Sequence, residues 1–93
     1  MIIGALSVET ALLEAMSLKE KRRVIKGVKE RLRRQFNVSV AEVGDTDAPR
    51  RATLAIVTVA DDARFVHSVL DKAVDTLRSA TGLTLMDYER EIL

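Results

Sequence analysis

Residues 17–44 read SLKEKRRVIKGVKERLRRQFNVSVAEVG, where a helical spacing of apolar residues is followed by the alternation typical of a strand. Ser17 and Glu20 match the capping box, in which both side chains satisfy free backbone N–H groups at a helix start. The pattern predicts a helix from about Leu18 to Gln35 and a strand over residues 37–44. The predicted core stripe of the helix consists of Leu18, Ile25, Val28, Leu32 and Phe36, with Val24 at its edge.

Three further strand-like segments flank this unit. Residues 2–11 are rich in Ile, Leu, Val and Ala and contain no Pro, which predicts a strand ending between residues 11 and 13. Residues 53–59 follow a polar loop over 45–51 and predict a strand that is apolar on both faces. Residues 83–93 predict a fourth strand, whose charged end is typical of a sheet edge.

A second helix is predicted between the third and fourth strands. Asp61 or Asp62 supplies its N-cap. Thr81 and Gly82 end it, because glycine readily adopts the left-handed conformation found beyond helix C-termini. The predicted core stripe of this helix is Phe65, Val66, Val69, Leu70, Ala73, Val74 and Leu77.

The resulting order is β-α-β-β-α-β in a chain of 93 residues, which is too short for a second core. Each β-α-β half requires a right-handed crossover, which brings both helices to one face of a four-stranded antiparallel sheet. We therefore predict a single α+β domain over residues 1–93 with a ferredoxin-like sandwich fold.

The sheet face opposite the helices is expected to stay open. The two central strands place apolar or small residues on both sides, and one of these two sets is Ile3, Ala5, Ser7, Ala55, Val57 and Val59. A second apolar face in so small a domain favours a homo-oligomer formed through the open sheet face. The alternative is a monomer, since Ala, Ser and Thr leave such a face only mildly apolar.

Composition restricts the class of protein. An apolar content of 47% is typical of globular domains, and the absence of Cys excludes disulfides and thiolate metal sites. No segment approaches the roughly 18 apolar residues of a membrane span. Residues 1–6 lack the basic region and the cleavage site of a signal peptide. We expect a cytoplasmic domain that does not bind membranes.

The charge is strongly polarised along the chain. Residues 17–36 hold nine of the fifteen Lys and Arg residues against two Glu, a net charge of +7. The remaining residues hold six bases and twelve acids, a net charge of −6. This separation predicts an anionic partner or an acidic protein surface opposite the first helix.

Seven basic residues fall on one side of the first helix, in an arc roughly 140° wide that only Glu30 interrupts. We call them the basic surface: Lys19, Arg22, Arg23, Lys26, Lys29, Arg33 and Arg34. They are the predicted nucleic-acid-binding residues, through contacts to phosphates. Arg50 and Arg51 are weaker candidates, and Lys21 is expected to snorkel over the core edge. Two alternatives remain open: a merely solvated face, or neutralisation by Asp71 and Asp75 or by acids of another subunit.

Nothing in the sequence predicts an active site. His67 is the single histidine, so no metal site can combine it with a second His or a Cys. The connection between the first strand and helix, Leu12–Ser17, contains no glycine and therefore lacks a phosphate-cradling turn. We expect a non-enzyme without a cofactor, a metal site or catalytic residues.

Three stretches together resemble the YlxP-like family of small bacterial proteins: residues 17–23 (SLKEKRR), 36–43 (FNVSVAEV) and 51–54 (RATL). The likeness extends to the closing residues 89–93, whereas residues 45–50 depart from the family pattern. The resemblance implies a ferredoxin-like fold and a gene setting near initiation factor two and ribosome-binding factor A. It carries no activity over, because the family has none established.

These observations lead to two hypotheses. The first is a non-enzymatic accessory protein that docks its basic surface on structured RNA or the ribosome. The central strands carry no aromatic residue on which bases could stack, so contacts to the RNA backbone are expected. The alternative is a homo-oligomeric protein-interaction or small-ligand regulatory module with no nucleic-acid role.

Overall fold

A computed structural model describes residues 1–93 and shows the predicted order of elements. The six elements are β1 (Ile2–Ala11), α1 (Leu18–Gln35), β2 (Ser39–Val43), β3 (Arg51–Ala60), α2 (Ala63–Arg78) and β4 (Thr84–Ile92). Neither helix has the length and apolar character that a membrane crossing requires.

The four strands form one antiparallel sheet in the order β2-β3-β1-β4, so β1 and β3 are central. Leu6 of β1 pairs with Ile56 of β3 on one side and with Arg90 of β4 on the other. Helix α1 packs on β2, whereas α2 packs on β1, β3 and β4. The predicted ferredoxin-like sandwich is thereby confirmed.

The helix signals of the sequence act as predicted at both N-termini. Ser17 Oγ accepts a hydrogen bond from the Glu20 N–H at 3.2 Å. Glu20 Oε2 accepts one at 2.7 Å from the N–H of Met16, the residue before the N-cap, rather than from that of Ser17. In α2 the cap is Asp62, whose Oδ1 accepts from the Arg64 N–H at 3.2 Å. Satisfying these free N–H groups stabilises each helix start by about 1 kcal/mol.

The core lies between the helices and the even-numbered residues of the central strands, such as Leu6, Val8, Leu54 and Ile56. Gly4 also faces the helices, and its missing side chain is what lets Val66 of α2 lie directly against the strand. The remaining core residues come from the two helix stripes, from Val40 of β2, and from Leu12, Ala15 and Leu83 in the connections between elements.

Two expectations about α2 were wrong. Phe65 is 56% exposed rather than part of the core, because it lies in the first turn about 90° from the centre of the buried stripe. The helix ends at Arg78, before Thr81 and Gly82, and the Ser79 N–H closes its last turn on the Asp75 carbonyl. Gly82, with φ of +90°, instead turns the chain into β4 beside Val24 of α1.

Candidate nucleic-acid interface

The basic surface lies on the outer side of α1, away from the sheet. The apolar stripe of this helix, with Ile25, Val28 and Leu32 buried, faces the core and so turns the opposite side to solvent. Lys29 is half-buried, and the other six members are exposed: Lys19, Arg22, Arg23, Lys26, Arg33 and Arg34.

No member of the basic surface forms an ion pair within the chain. The two ion pairs present join Lys21 to Glu42 and Arg90 to Asp71. Asp75, the other acid considered as a neutralising group on the neighbouring helix, pairs with no base. Direct pairing with the acids of α2 was therefore a wrong alternative, and Glu30, the one acid within the arc, pairs with no member of the basic surface either.

Arg33 has a structural contact as well as a surface position. Its Nη2 donates a hydrogen bond of 2.9 Å to the carbonyl of Val40 in the edge strand β2. This bond holds the guanidinium against the sheet edge, where an arginine also discourages pairing with another strand. The remaining exposed members make no side-chain hydrogen bond within the chain and are free to meet a ligand: Lys19, Arg22, Arg23, Lys26 and Arg34.

Lys21 does not snorkel to solvent as expected, because its side chain is fully buried. Its Nζ donates to the carbonyls of Thr46 at 3.0 Å and Ala48 at 2.6 Å, and lies 2.7 Å from Glu42 Oε2. Two donors of the ammonium group are thus used by the loop carbonyls, and the contact to Glu42 is an ion pair. Glu42 Oε2 is itself buried and accepts no hydrogen bond, so the nearby charge of Nζ is what compensates its desolvation.

This arrangement, the Lys21 clamp (Lys21, Glu42, Thr46 and Ala48), ties the loop after β2 to the first turns of α1. The loop thereby closes one end of the core and carries Arg50 on its exposed side. Arg51 begins β3 and alternates with buried Ala52, so it points to the open sheet face. The structure therefore does not bring Arg51 to the basic surface.

His67 is held in a surface cluster with β4. Arg90 Nη1 lies 3.0 Å from His67 Nδ1, and Arg90 Nη2 binds Asp71. Because arginine can only donate, Nδ1 is the acceptor in this contact. No group of three His, Cys, Asp or Glu side chains is placed to hold a metal ion.

The open sheet face carries charge of the opposite sign. Its centre is apolar, with Val57 40% and Val59 47% exposed. A shallow concavity of about 390 Å³ over β1 and β3 is bounded by Glu89 and Glu91 of β4. The charge separation along the sequence is thus also a separation in space. The basic surface lies on the helix side of the sheet, and the acids of β4 lie at the edge of its open face.

Comparisons with solved structures show the fold alone. The de novo designed protein Foldit4 has a TM-score of 0.52 and 16% identity, with 100% of this chain and 94% of the design covered. The de novo designed protein LFR1 1 with ferredoxin fold has a TM-score of 0.55 and 16% identity, with 99% and 85% covered.

Comparisons of sequence agree with the resemblance carried by residues 17–23 and 36–43. The uncharacterized protein YlxP of Bacillus subtilis (strain 168) is 40% identical over 58 residues. That match covers 62% of this chain and 63% of the relative, less than two thirds of its length. The model of the family "Protein of unknown function (DUF503)" matches residues 3–90, and the chain therefore belongs to this YlxP-like family.

Proposed function

We propose that the chain is a non-enzymatic accessory protein that binds structured RNA, ribosomal RNA in particular, through the basic surface of α1. The observation that carries the proposal is the exposure of six basic side chains on one rigid helix without a single ion pair to an acid. Phosphates would supply the missing negative charges.

Binding of this kind gains free energy chiefly from counterion release. Each Lys or Arg that neutralises a phosphate frees condensed cations, which gives affinity without reading the sequence. The row Arg22, Lys26, Lys29 and Arg33 spans about 16 Å of helix, long enough to follow the backbone of a folded RNA. The central strands carry no aromatic residue, so base stacking on the sheet has no place in the proposal.

The test is binding to purified small and large ribosomal subunits, and to their naked RNAs, over a range of salt concentrations. We expect saturable binding to one of the particles. The logarithm of the association constant should fall with the logarithm of salt at a slope of about −4 to −6, which corresponds to four to seven phosphate contacts. Equal and weak binding to heparin and to every RNA would show only that the helix is positive. Absence of binding at low salt would reject the proposal.

The open sheet face favours a second candidate role, a homo-oligomeric interaction module. We propose that a second copy of this chain covers the exposed Val57 and Val59. A two-fold axis parallel to the strands would place β4 of one copy opposite β2 of the other. The acids of β4, which are Asp87, Glu89 and Glu91, would then lie opposite β2 of the partner. That is the edge strand whose other face is covered by α1. An axis across the strands would place these acids against each other, so charge selects the first arrangement.

Substitution of Val57 by Lys tests this arrangement, because it places a charge at the centre of the apolar face. We expect the mass measured by light scattering after gel filtration to fall from that of a dimer to that of a monomer of 10.3 kDa. The control is Arg64→Glu on α2, which alters charge on the helix side and should leave the dimer intact. A wild-type protein that stays monomeric at about 100 µM, where contacts of micromolar affinity are filled, would reject the proposal.

A further inference from the structure

Gly27 lies in the middle of α1 although nothing inside the protein requires a glycine there. A Cβ atom added at this position would meet no other atom within 4 Å. Glycine in a helix interior is about 1 kcal/mol less favourable than alanine. Gly27 therefore weakens the helix without a compensating contact in the fold, in contrast to Gly4, which α2 packs against.

The space beside Gly27 is a groove between α1 and the turn that follows α2. The groove has a volume of about 280 Å³, and Arg23, Gly27 and Arg31 line it along α1. Ala80 and Thr81 form the opposite wall. We call this the Gly27 groove.

The two arginines give the groove its charge. Arg23 and Arg31 stand one turn before and one turn after Gly27, and neither makes an ion pair or a side-chain hydrogen bond within the chain. Arg23 belongs to the basic surface, whereas Arg31 lies beyond its edge on the side of α2. The groove thus continues the basic surface around the helix.

We propose that the Gly27 groove receives a phosphodiester segment of the bound RNA, an inference that rests on the function proposed above. The missing side chain lets the RNA backbone approach the helix closely, a recurring use of glycine at ligand contacts. Arg23 and Arg31 would each donate to a phosphate oxygen with their forked guanidinium groups. The groove would give the RNA backbone one defined position along α1. A row of similar basic side chains would allow several positions.

Gly27→Gln tests the groove because it fills the space without changing the charge. Glutamine is a good helix former, so the variant is expected to fold. We expect the dissociation constant for a fluorescein-labelled RNA duplex of 20 base pairs to rise about tenfold to one hundredfold, the value of one or two charge-assisted hydrogen bonds. Fluorescence anisotropy at constant salt measures the change.

Three controls separate the groove from general effects. Ala63→Gln adds the same side chain to an exposed position of α2 and should leave the affinity within about twofold. Gly27→Ala adds only a methyl group, so it should weaken binding less than Gly27→Gln, by about two- to fivefold, while raising the melting temperature by about 4–8 °C. Arg31→Ala should weaken binding about tenfold, although Arg31 lies outside the basic surface.

The outcomes distinguish the groove from the proposed function. If wild-type protein binds the duplex and Gly27→Gln binds it equally well, the groove is rejected while RNA binding stands. If wild-type protein does not bind the duplex, or prefers poly-glutamate to it, RNA binding is rejected and the groove with it. Loss of affinity in Gly27→Gln but not in Ala63→Gln supports both.

Discussion

Lys21→Ala is expected to lower the free energy of unfolding by about 3–5 kcal/mol, which is a large fraction of the stability of a small domain. The substitution would leave the buried Oε2 of Glu42 without its counter-charge and would remove both bonds to the loop carbonyls of Thr46 and Ala48. Urea denaturation followed by circular dichroism measures the loss. Hydrogen exchange should rise first in residues 44–50, which the clamp ties to α1.

Lys26→Ala is the matched control for this change. It removes the same side chain from the same helix at an exposed position with no ion pair, so it should change the unfolding free energy by less than about 0.5 kcal/mol. A double substitution, Lys21→Met with Glu42→Gln, removes both charges and should recover part of the loss. Equal stability of Lys21→Ala and Lys26→Ala would show that the clamp contributes nothing.

The architecture was predictable because its signals are local. The bounds of α1 follow from the Ser17–Glu20 capping box and from a helical apolar spacing. The bounds of β1 follow from its composition, and the right-handed crossover rule then leaves one arrangement of the elements. The position of the basic surface was predictable for the same reason, since a helix of known bounds fixes which residues share a side.

Contacts between elements were not predictable. The position of Lys21 within the apolar stripe of α1 was visible in the sequence, but its three partners lie on residues 42–48. Only the packing of α1 on β2 brings that loop to the ammonium group, so the residue was misjudged as snorkelling. A basic residue within an apolar stripe is the one signal that could have indicated burial with a partner.

The Gly27 groove was not predictable either, because it too is formed by a contact between two elements. The sequence shows a glycine inside a helix, which indicates a small loss of stability and nothing more. The groove exists because α2 ends at Arg78 and the chain turns back over Ala80 and Thr81 beside α1. The sequence prediction ended α2 at Thr81 and Gly82 rather than at Arg78, and it therefore missed the wall of the groove.

The double variant Arg22→Glu with Lys26→Glu is expected to weaken RNA binding about a hundredfold or more at 100 mM salt, since it removes two phosphate contacts and adds two repulsive charges. The slope of affinity against salt should decrease in magnitude by about 2. Arg22 and Lys26 are chosen because both are exposed and unbonded. Lys29 is half-buried and Arg33 bonds Val40, so reversing them would mix folding with binding.

Arg64→Glu with Lys72→Glu is the matched control, because it changes the net charge equally at two exposed positions of α2. If both double variants weaken binding to the same extent, only the overall charge matters and no docking surface exists. If neither does, α1 has no part in RNA binding. A loss confined to the α1 variant would assign binding to the basic surface, because net charge is the same in both proteins.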